Sequence, residues 1–314
     1  MSGASEHVLV TGASGYIGSA LVQVLQSRGI ALTATARSRT DIVSRELGVP
    51  VTPLDVMGEL PDFTGVTTIA HCATPNDIAS REPDAALPLA VAGTHALLRQ
   101  AVTCGVKRFV YLSTVQVYGT ELAGTIDEKT PPNNQTLYGL NHYLGEEVCR
   151  YYAANHAIDT LVLRPANIYG VPPVSTVDRW TLVPMTFVRD AAENGKIELR
   201  SSGRQTRNFS SVHEVASTIA DQLGRFPEGY TILNAASDWN ASMVELAHRV
   251  ASIWEEETGD PLPVDILSDE PAAPNEFAFA PNPLQSRPEP AVSQRQMDDT
   301  IRDLIRMKTG KTKE

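Results

Sequence analysis

The chain has 314 residues, 42% of them hydrophobic, enough to bury a full core in one large domain or in a domain with a smaller lobe. Its formal net charge of −11, with no stretch that gathers Lys and Arg, argues against nucleic acid or an anionic membrane as partner, so any anionic ligand must be held locally. Apolar runs fall far short of the ~20 residues a bilayer requires, and the start reaches "EHVLVTG" without a basic region and apolar signal core, so a cytoplasmic protein is expected.

In chain order, "HVLVTG" (7–12), "IALTATA" (30–36), "PVTPLD" (50–55), "VTTIAHCA" (66–73), "RFVYLST" (108–114) and "DTLVLRP" (159–165) read as strands. Several are apolar on both faces, as strands buried between helices must be. Helical patterns lie between them near 16–28, 40–47, 84–104 and 138–156. Repeated β-α units imply a parallel sheet covered by helices on both faces, with ligands at the carboxyl ends of its strands. After "LRPANIYG", Pro172 and Pro173 interrupt the alternation. Helices are then expected near 181–194, 212–224, 241–256 and 293–308, strands near 197–200 and 230–234, and an extended or mobile loop over 268–292. Cys72, Cys104 and Cys149 are too few and scattered for a disulfide framework or a metal site and read as reduced core thiols.

"VLVTGASGYIGSALVQVL" combines a strand, a glycine turn and an amphipathic helix. Gly12, Gly15 and Gly18 allow a tight turn and close backbone approach, while free amides at the helix start suit a pyrophosphate. Gly12, Ser14, Gly15, Tyr16, Ile17 and Gly18 are therefore candidate dinucleotide contacts. The expected fold is α/β, a doubly wound parallel (Rossmann) sheet over 1–170 to which some later segments return, with a smaller substrate-binding lobe and C-terminal helix over 171–314. At the end of the second strand, "LTATARSRT" offers no carboxylate for a ribose. Arg37 and Arg39 could meet a 2′-phosphate, which favours NADP(H) over NAD(H), a solvated surface arginine being the ordinary alternative. Asp55 is either an adenine contact or the cap of the next turn.

Together, "TGASGYIG" (11–18), "AHCAT" (70–74), "VAGTHALLRQAVTCGVKRFVYLSTVQVYG" (91–119), "YGLNH" (138–142), "LRPANIYG" (163–170) and "GRQTRNFSSVHEVA" (203–216) resemble the extended short-chain dehydrogenase/reductase family, specifically its nucleotide-sugar epimerases, dehydratases and reductases. The resemblance implies cofactor contacts from Asp55, Val56, Ala73 and Ser113, a hydroxyl at Thr114 beside the reacting carbon, and a proton-transferring phenol at Tyr138. It implies that Asn167 and Arg207 meet the phosphates of a nucleotide-sugar substrate, with Arg204 beside them. A bidentate guanidinium suits a pyrophosphate. It also suggests a homodimer through the helices near 84–104 and 138–156, although core packing would equally explain their apolar faces.

The pattern breaks at position 142, where the family has lysine four residues after tyrosine on the same helical face. That lysine depresses the phenol pKa and holds the nicotinamide ribose. His142 is shorter and, at its ordinary pKa, only partly protonated near neutrality. Three readings stand: a working substitute that binds ribose and partly supports the Tyr138 phenolate, a site that uses Tyr138 differently or relies on a different base, or a cofactor-binding protein with weakened or no turnover. Lys129 precedes Tyr138, and its place relative to the site is open. Val115 and Gln116 stand where the family's dehydratases carry an Asp-Glu pair, which argues against water elimination. His71 is expected to pack beneath the cofactor loop, and His213 to cap a helix or enter the core. The reading is an NAD(P)-dependent oxidoreductase or epimerase acting on a nucleotide-activated sugar, by 4-keto reduction or C4 epimerisation. The alternative is a pseudoenzyme or regulatory protein of the same fold.

Overall fold

The computed structural model describes residues 6–268 and 276–310. In chain order the elements are β1 (His7–Thr11), α1 (Tyr16–Ser27), β2 (Ala31–Ala36), α2 (Thr40–Leu47), β3 (Val51–Pro53), β4 (Thr68–His71), α3 (Pro83–Pro88), α4 (Thr94–Thr103), β5 (Arg108–Leu112), β6 (Gly124–Ile126) and α5 (Leu137–Asn155). They continue with β7 (Asp159–Pro165), β8 (Asn167–Tyr169), α6 (Met185–Asn194), β9 (Ile197–Leu199), β10 (Thr206–Ser211), α7 (Val212–Leu223), β11 (Tyr230–Ala235), β12 (Asn240–Ser242), α8 (Met243–Thr258), β13 (Val264–Ile266), β14 (Phe277–Phe279) and α9 (Pro290–Thr309).

Seven strands form one parallel sheet in the order β11-β7-β5-β4-β1-β2-β3. This is the doubly wound order, in which the chain starts at the centre and winds outward both ways. Alternate residues of each strand feed two cores. Val8, Val10, Ala70, Val110, Leu112, Leu161 and Leu163 face one core, to which α1, α2 and α7 contribute. Leu9, Ile69, Phe109, Tyr111 and Val162 face the other, covered by α4 and α5. The period-two alternation and the double burial together account for strands that read as continuous apolar runs.

Beyond the carboxyl ends lie a three-stranded sheet, β12-β10-β8, and two parallel pairs, β9 with β13 and β6 with β14. A third apolar cluster, including Val115, Val117, Tyr118, Ile126, Phe277 and Phe279, joins this region to the sheet end. β11 returns to the large sheet beside β7, and α7 packs on α1.

Several elements differ from the sequence expectation. The helix near 84–104 is α3, a single wide π turn over Leu89–Gly93, and α4. Pro88, inside the run, has no N–H for the regular ladder, which favours such a turn. The helix near 181–194 starts only at Met185, after Pro184. Within 268–292, Phe277–Phe279 forms a strand against β6 and α9 begins at Pro290, while 269–275 lies outside the described residues. The strands β6, β8, β12 and β13, three residues each, escaped the sequence reading because so short a run shows no period, and the six-residue β10 escaped it too. Of the thiols only Cys149 is core; Cys72 and Cys104 are half-buried, and all three are free. His213 neither caps nor enters the core: Ser211 and Glu214 form the capping box of α7, leaving His213 exposed. No described helix is long and apolar enough to cross a membrane.

Helix α5 approaches β5 closely because Gly145 lies over the Tyr111 ring, where a Cβ would collide with the phenol. Gly145→Ala is therefore expected to lower stability by about 1–3 kcal/mol, as overpacking does, measured by urea unfolding.

Candidate active site

The turn between β1 and α1 is shaped by its glycines. Gly12 has φ +73°, and a Cβ there would lie 2.8 Å from the Ala73 amide nitrogen. A Cβ on Gly18 would run into the Gly12 carbonyl. Gly15 precedes the first turn of α1 and has no side chain to cap its amides. The result is a bare backbone cradle at a helix N-terminus, the arrangement that accepts a phosphate anion. The residues present thus fit the pyrophosphate of a dinucleotide. Tyr16 is buried, its hydroxyl donating to the Gly170 carbonyl at 2.5 Å, which ties the end of β8 to the cradle.

Gly15, Tyr16, Ile17 and Gly18 line a cavity of about 250 Å³ together with Ser113, Thr114, Tyr138, His142, Asn167 and Arg179. Ser14 is half-buried beside it, its carbonyl accepting from Thr176 at 3.5 Å. Ala73 lies under Gly12. Arg37, Asp55, Val56 and Ala73 are not among the lining residues. Arg37 is exposed just past β2, Val56 is buried, and the Asp55 carboxylate accepts the Met57 amide at 3.0 Å, the turn-capping alternative. Lys129 is exposed in the turn after β6 and does not line the cavity.

A second cavity of about 360 Å³ shares Val115, Gln116, Asn167, Ile168 and Leu182 with the first. Arg207 lines it, half-buried, and donates to the Thr120 carbonyl at 3.4 Å. Asn167 belongs to both cavities and donates to the Asn208 carbonyl at 2.9 Å. Arg204 is exposed and lies outside the lining, so the expected pair of anchoring arginines reduces to Arg207.

Thr114 and Tyr138 meet in the inner cavity. The Thr114 oxygen accepts the Gln116 amide at 3.2 Å, which sets the side chain and leaves its hydroxyl hydrogen free to donate. Thr136 caps the start of α5 through the Gly139 amide at 3.0 Å, placing Tyr138 in the first turn. Burial pushes the Tyr138 phenol above its ordinary pKa, while the Thr114 hydroxyl and the Arg179 charge pull it back.

The spacing of four continues along α5 as Tyr138, His142 and Glu146, and the sequence reading missed the last of these. Glu146 is fully buried, yet it is paired: Arg164 donates to it through Nε at 2.9 Å and Nη2 at 2.5 Å, and the Ser113 hydroxyl also donates to it. The Arg164 guanidinium lies 4.7 Å from the Tyr118 ring centroid. Ser113, expected to touch cofactor, is thereby engaged on its other side by a buried ion pair. The signal available in the sequence was the 138, 142, 146 stripe, one face of a helix. Nothing local in the sequence joined Glu146 to Arg164, or Asp77 to Arg179.

His142 lies on the same face of α5 as Tyr138. It is 2% exposed, its ring edge-on to Tyr138 with centroids 4.6 Å apart, and its Nε2 lies 3.1 Å from the Pro75 carbonyl. A carbonyl can only accept, so Nε2 carries the proton. Nδ1 is buried and makes no hydrogen bond among the described residues. Burial lowers its pKa from 6.5 to about 4, with the Pro75 and Leu112 backbone offsetting part of the effect. Burial thus favours the uncharged ring, with its Nε2 hydrogen given to the Pro75 carbonyl. His71 lies beneath the cofactor loop as expected, with Nδ1 2.8 Å from the Thr11 hydroxyl, and burial lowers its pKa to about 3.

Both imidazoles refuse protons that the unfolded chain accepts, so stability is fully present above pH 6.5 and falls as the pH drops toward 4. The His142 share is about 3 kcal/mol, from a shift of this size. Urea midpoints measured from pH 4 to 6.5 are expected to rise with pH in the wild type, and less steeply in His142→Gln.

Residues 8–234 match the NAD dependent epimerase/dehydratase family. Among curated proteins the chain is 27% identical over 273 residues to a dTDP-4-dehydro-6-deoxy-D-allose reductase of Streptomyces sp, covering 80% of this chain and 82% of the relative. Among solved structures it is similar to the UDP-N-acetylglucosamine 4-epimerase of Methanobrevibacter ruminantium in complex with UDP-N-acetylmuramic acid (TM-score 0.80, 16% identity, 96% of this chain and 99% of that one). It is also similar to the UDP-glucuronic acid 4-epimerase of Bacillus cereus in complex with NAD (TM-score 0.77, 19% identity, 96% of each chain). At these identities the two structures support the fold, and the sequence match supports the descent: the chain belongs to the NAD dependent epimerase/dehydratase family.

Proposed function

We propose that this chain is an NAD(P)-dependent oxidoreductase acting on a nucleotide-activated sugar, by 4-keto reduction or by C4 epimerisation through a transient ketone. One observation carries the reading: Thr114 and Tyr138 share a cavity with the glycine cradle, and a second cavity, lined by Arg207, shares Asn167 and four other residues with it. The nicotinamide, when bound, supplies or takes the hydride. Tyr138 gives its phenolic proton to the sugar oxygen as a carbonyl becomes an alcohol, and takes it back in the reverse direction. Thr114, with its oxygen held by the Gln116 amide, turns its hydroxyl hydrogen toward that same oxygen. Arg207 and Asn167 bind the diphosphate, and Arg207 offsets locally the repulsion expected from an acidic protein. Val115 and Gln116, lining both cavities, offer no acid and base for water elimination, which argues against a dehydratase. His142 supports Tyr138 by packing against its ring.

Arg37, exposed past β2 with Arg39 nearby, supports a preference for NADP(H), and reduction fits that preference better than epimerisation. A homodimer through α4 and α5 is part of the same reading; Tyr151 on α5 is 57% exposed.

Consumption of NADPH, and of NADH, with a panel of dTDP- and UDP-linked 4-keto sugars tests the activity. Tyr138→Phe is expected to lower kcat by about 10²–10⁴, the usual contribution of a positioned acid. If wild type and variant turn over every sugar alike, Tyr138 is not the acid. No turnover by the wild type on any of them would favour the pseudoenzyme. Arg37→Ser is expected to raise KM for NADPH about tenfold, the loss of one charge-assisted contact, with KM for NADH unchanged; equal effects on both would remove the NADP assignment.

A further inference from the structure

Position 142 has no lysine and burial disfavours a charged ring there, so the positive charge that the family's lysine would bring to the tyrosine must come from elsewhere or be absent. Among the described residues lining the inner cavity, Arg179 is the only Lys or Arg. It lies on the loop after β8, and its side chain is only 16% exposed. Its Nη1 donates at 2.8 Å to Asp77 Oδ1, on the loop after β4, which lines the same cavity.

The loop that carries Arg179 is fastened on both sides of it. The Ser175 amide and hydroxyl donate to the Glu46 carboxylate at 2.7 and 2.6 Å. Val174 and Val177 are buried in the main core. Lys308 of α9 stands 4.4 Å from the Trp180 ring centroid. A guanidinium held this way is a fixed charge at any working pH. We propose that Arg179 supplies the positive field at the Tyr138 phenol in place of the missing lysine, from a separate loop rather than from the tyrosine's own helix, with Asp77 setting its position and moderating its strength.

The groups that face Tyr138 are Thr114 and Tyr111 from the strand β5 and the turn after it, His142 from its own helix, Asp77 from the β4 loop and Arg179 from the β8 loop. Of these, Asp77 and Arg179 form the ion pair, while burial pushes the Tyr111 phenol up and the His142 ring down, disfavouring charge on both. After burial and the Thr114 hydrogen bond, the Arg179 charge lowers the Tyr138 pKa and the Asp77 charge raises it. Burial raises the pKa of Tyr16 at the start of α1, and the same guanidinium offsets part of that rise.

This inference rests on Tyr138 as the proton-transferring group, and its test needs no turnover. A fluorinated tyrosine incorporated at position 138, acidic enough to titrate before alkaline denaturation, reports its own ionisation by fluorine NMR. Arg179→Gln is expected to raise the midpoint by about one pH unit or more, as loss of a nearby opposite charge does. Asp77→Asn is expected to lower it, and Arg179→Lys to leave it within a few tenths. If Arg179 and Asp77 merely latched the two loops together, removing either would move the midpoint in the same direction. Shifts of the same sign, or an unmoved midpoint in Arg179→Gln, overturn the proposal. Failure of this titration pattern with Tyr138→Phe still inactive would remove the Arg179 role alone. An active Tyr138→Phe enzyme would remove the reading beneath it.

Discussion

The buried Glu146 carboxylate holds the site together. It has no access to solvent and is held by the Arg164 guanidinium from β7 and the Ser113 hydroxyl at the end of β5. Withdrawing two such charges from water is costly, and losing either partner would leave the other uncompensated, at about 3–5 kcal/mol. The pair therefore restricts how α5 can rotate or slide on the sheet. Tyr138 and His142 lie on the same stripe of that helix, so the contact that satisfies Glu146 also sets the direction of the phenol. Gly145, with no Cβ, lets the helix come close enough to the Tyr111 ring for this to happen.

From that constraint follows the state of His142. A helix pressed against β5 turns the position-142 side chain inward, between the Tyr138 ring and the more distant Tyr111 ring, with the Pro75 carbonyl as its partner. In such surroundings an imidazole is more stable uncharged, because burial penalises the cation and the one carbonyl bond is satisfied by the neutral ring. The histidine is thus part of the packing that holds Tyr138, and charge in the cavity is left to the Asp77 and Arg179 pair on two loops at the sheet's carboxyl ends. Loops at this edge of a doubly wound sheet are where such a fold can exchange one charged group for another without disturbing its core.

Much of this arrangement was legible in the chain. The β-α alternation gave the parallel sheet because its strands must be apolar on both faces. The spacing of Gly12, Gly15 and Gly18 marked the cradle because only residues without a Cβ tolerate those approaches. Thr114 and Tyr138 were found through their motifs and do meet in one cavity. What escaped was either too short to carry a period, such as β8, β12 and β14, or depended on contacts between distant segments. β10, which carries Arg207, is held beside β8 and β12 through pairings 42 and 32 to 36 residues apart that no local pattern records. Arg179 lay in a Pro-rich connection that looked merely irregular.

By itself the sequence determined the layered fold, the phosphate cradle, the candidate hydroxyl and phenol, and the absence of a lysine at position 142. The fold and the cradle are local properties, set by side-chain size, periodicity and the conformational freedom of glycine, while the hydroxyl, the phenol and the missing lysine are read from the family resemblance. Only the tertiary structure decided that His142 is buried against Tyr138, that Ser113 serves a buried carboxylate, and that Arg179 faces the same cavity as Tyr138. Protonation and ion pairing depend on dielectric surroundings and on partners brought from far along the chain, and neither exists until the chain has folded.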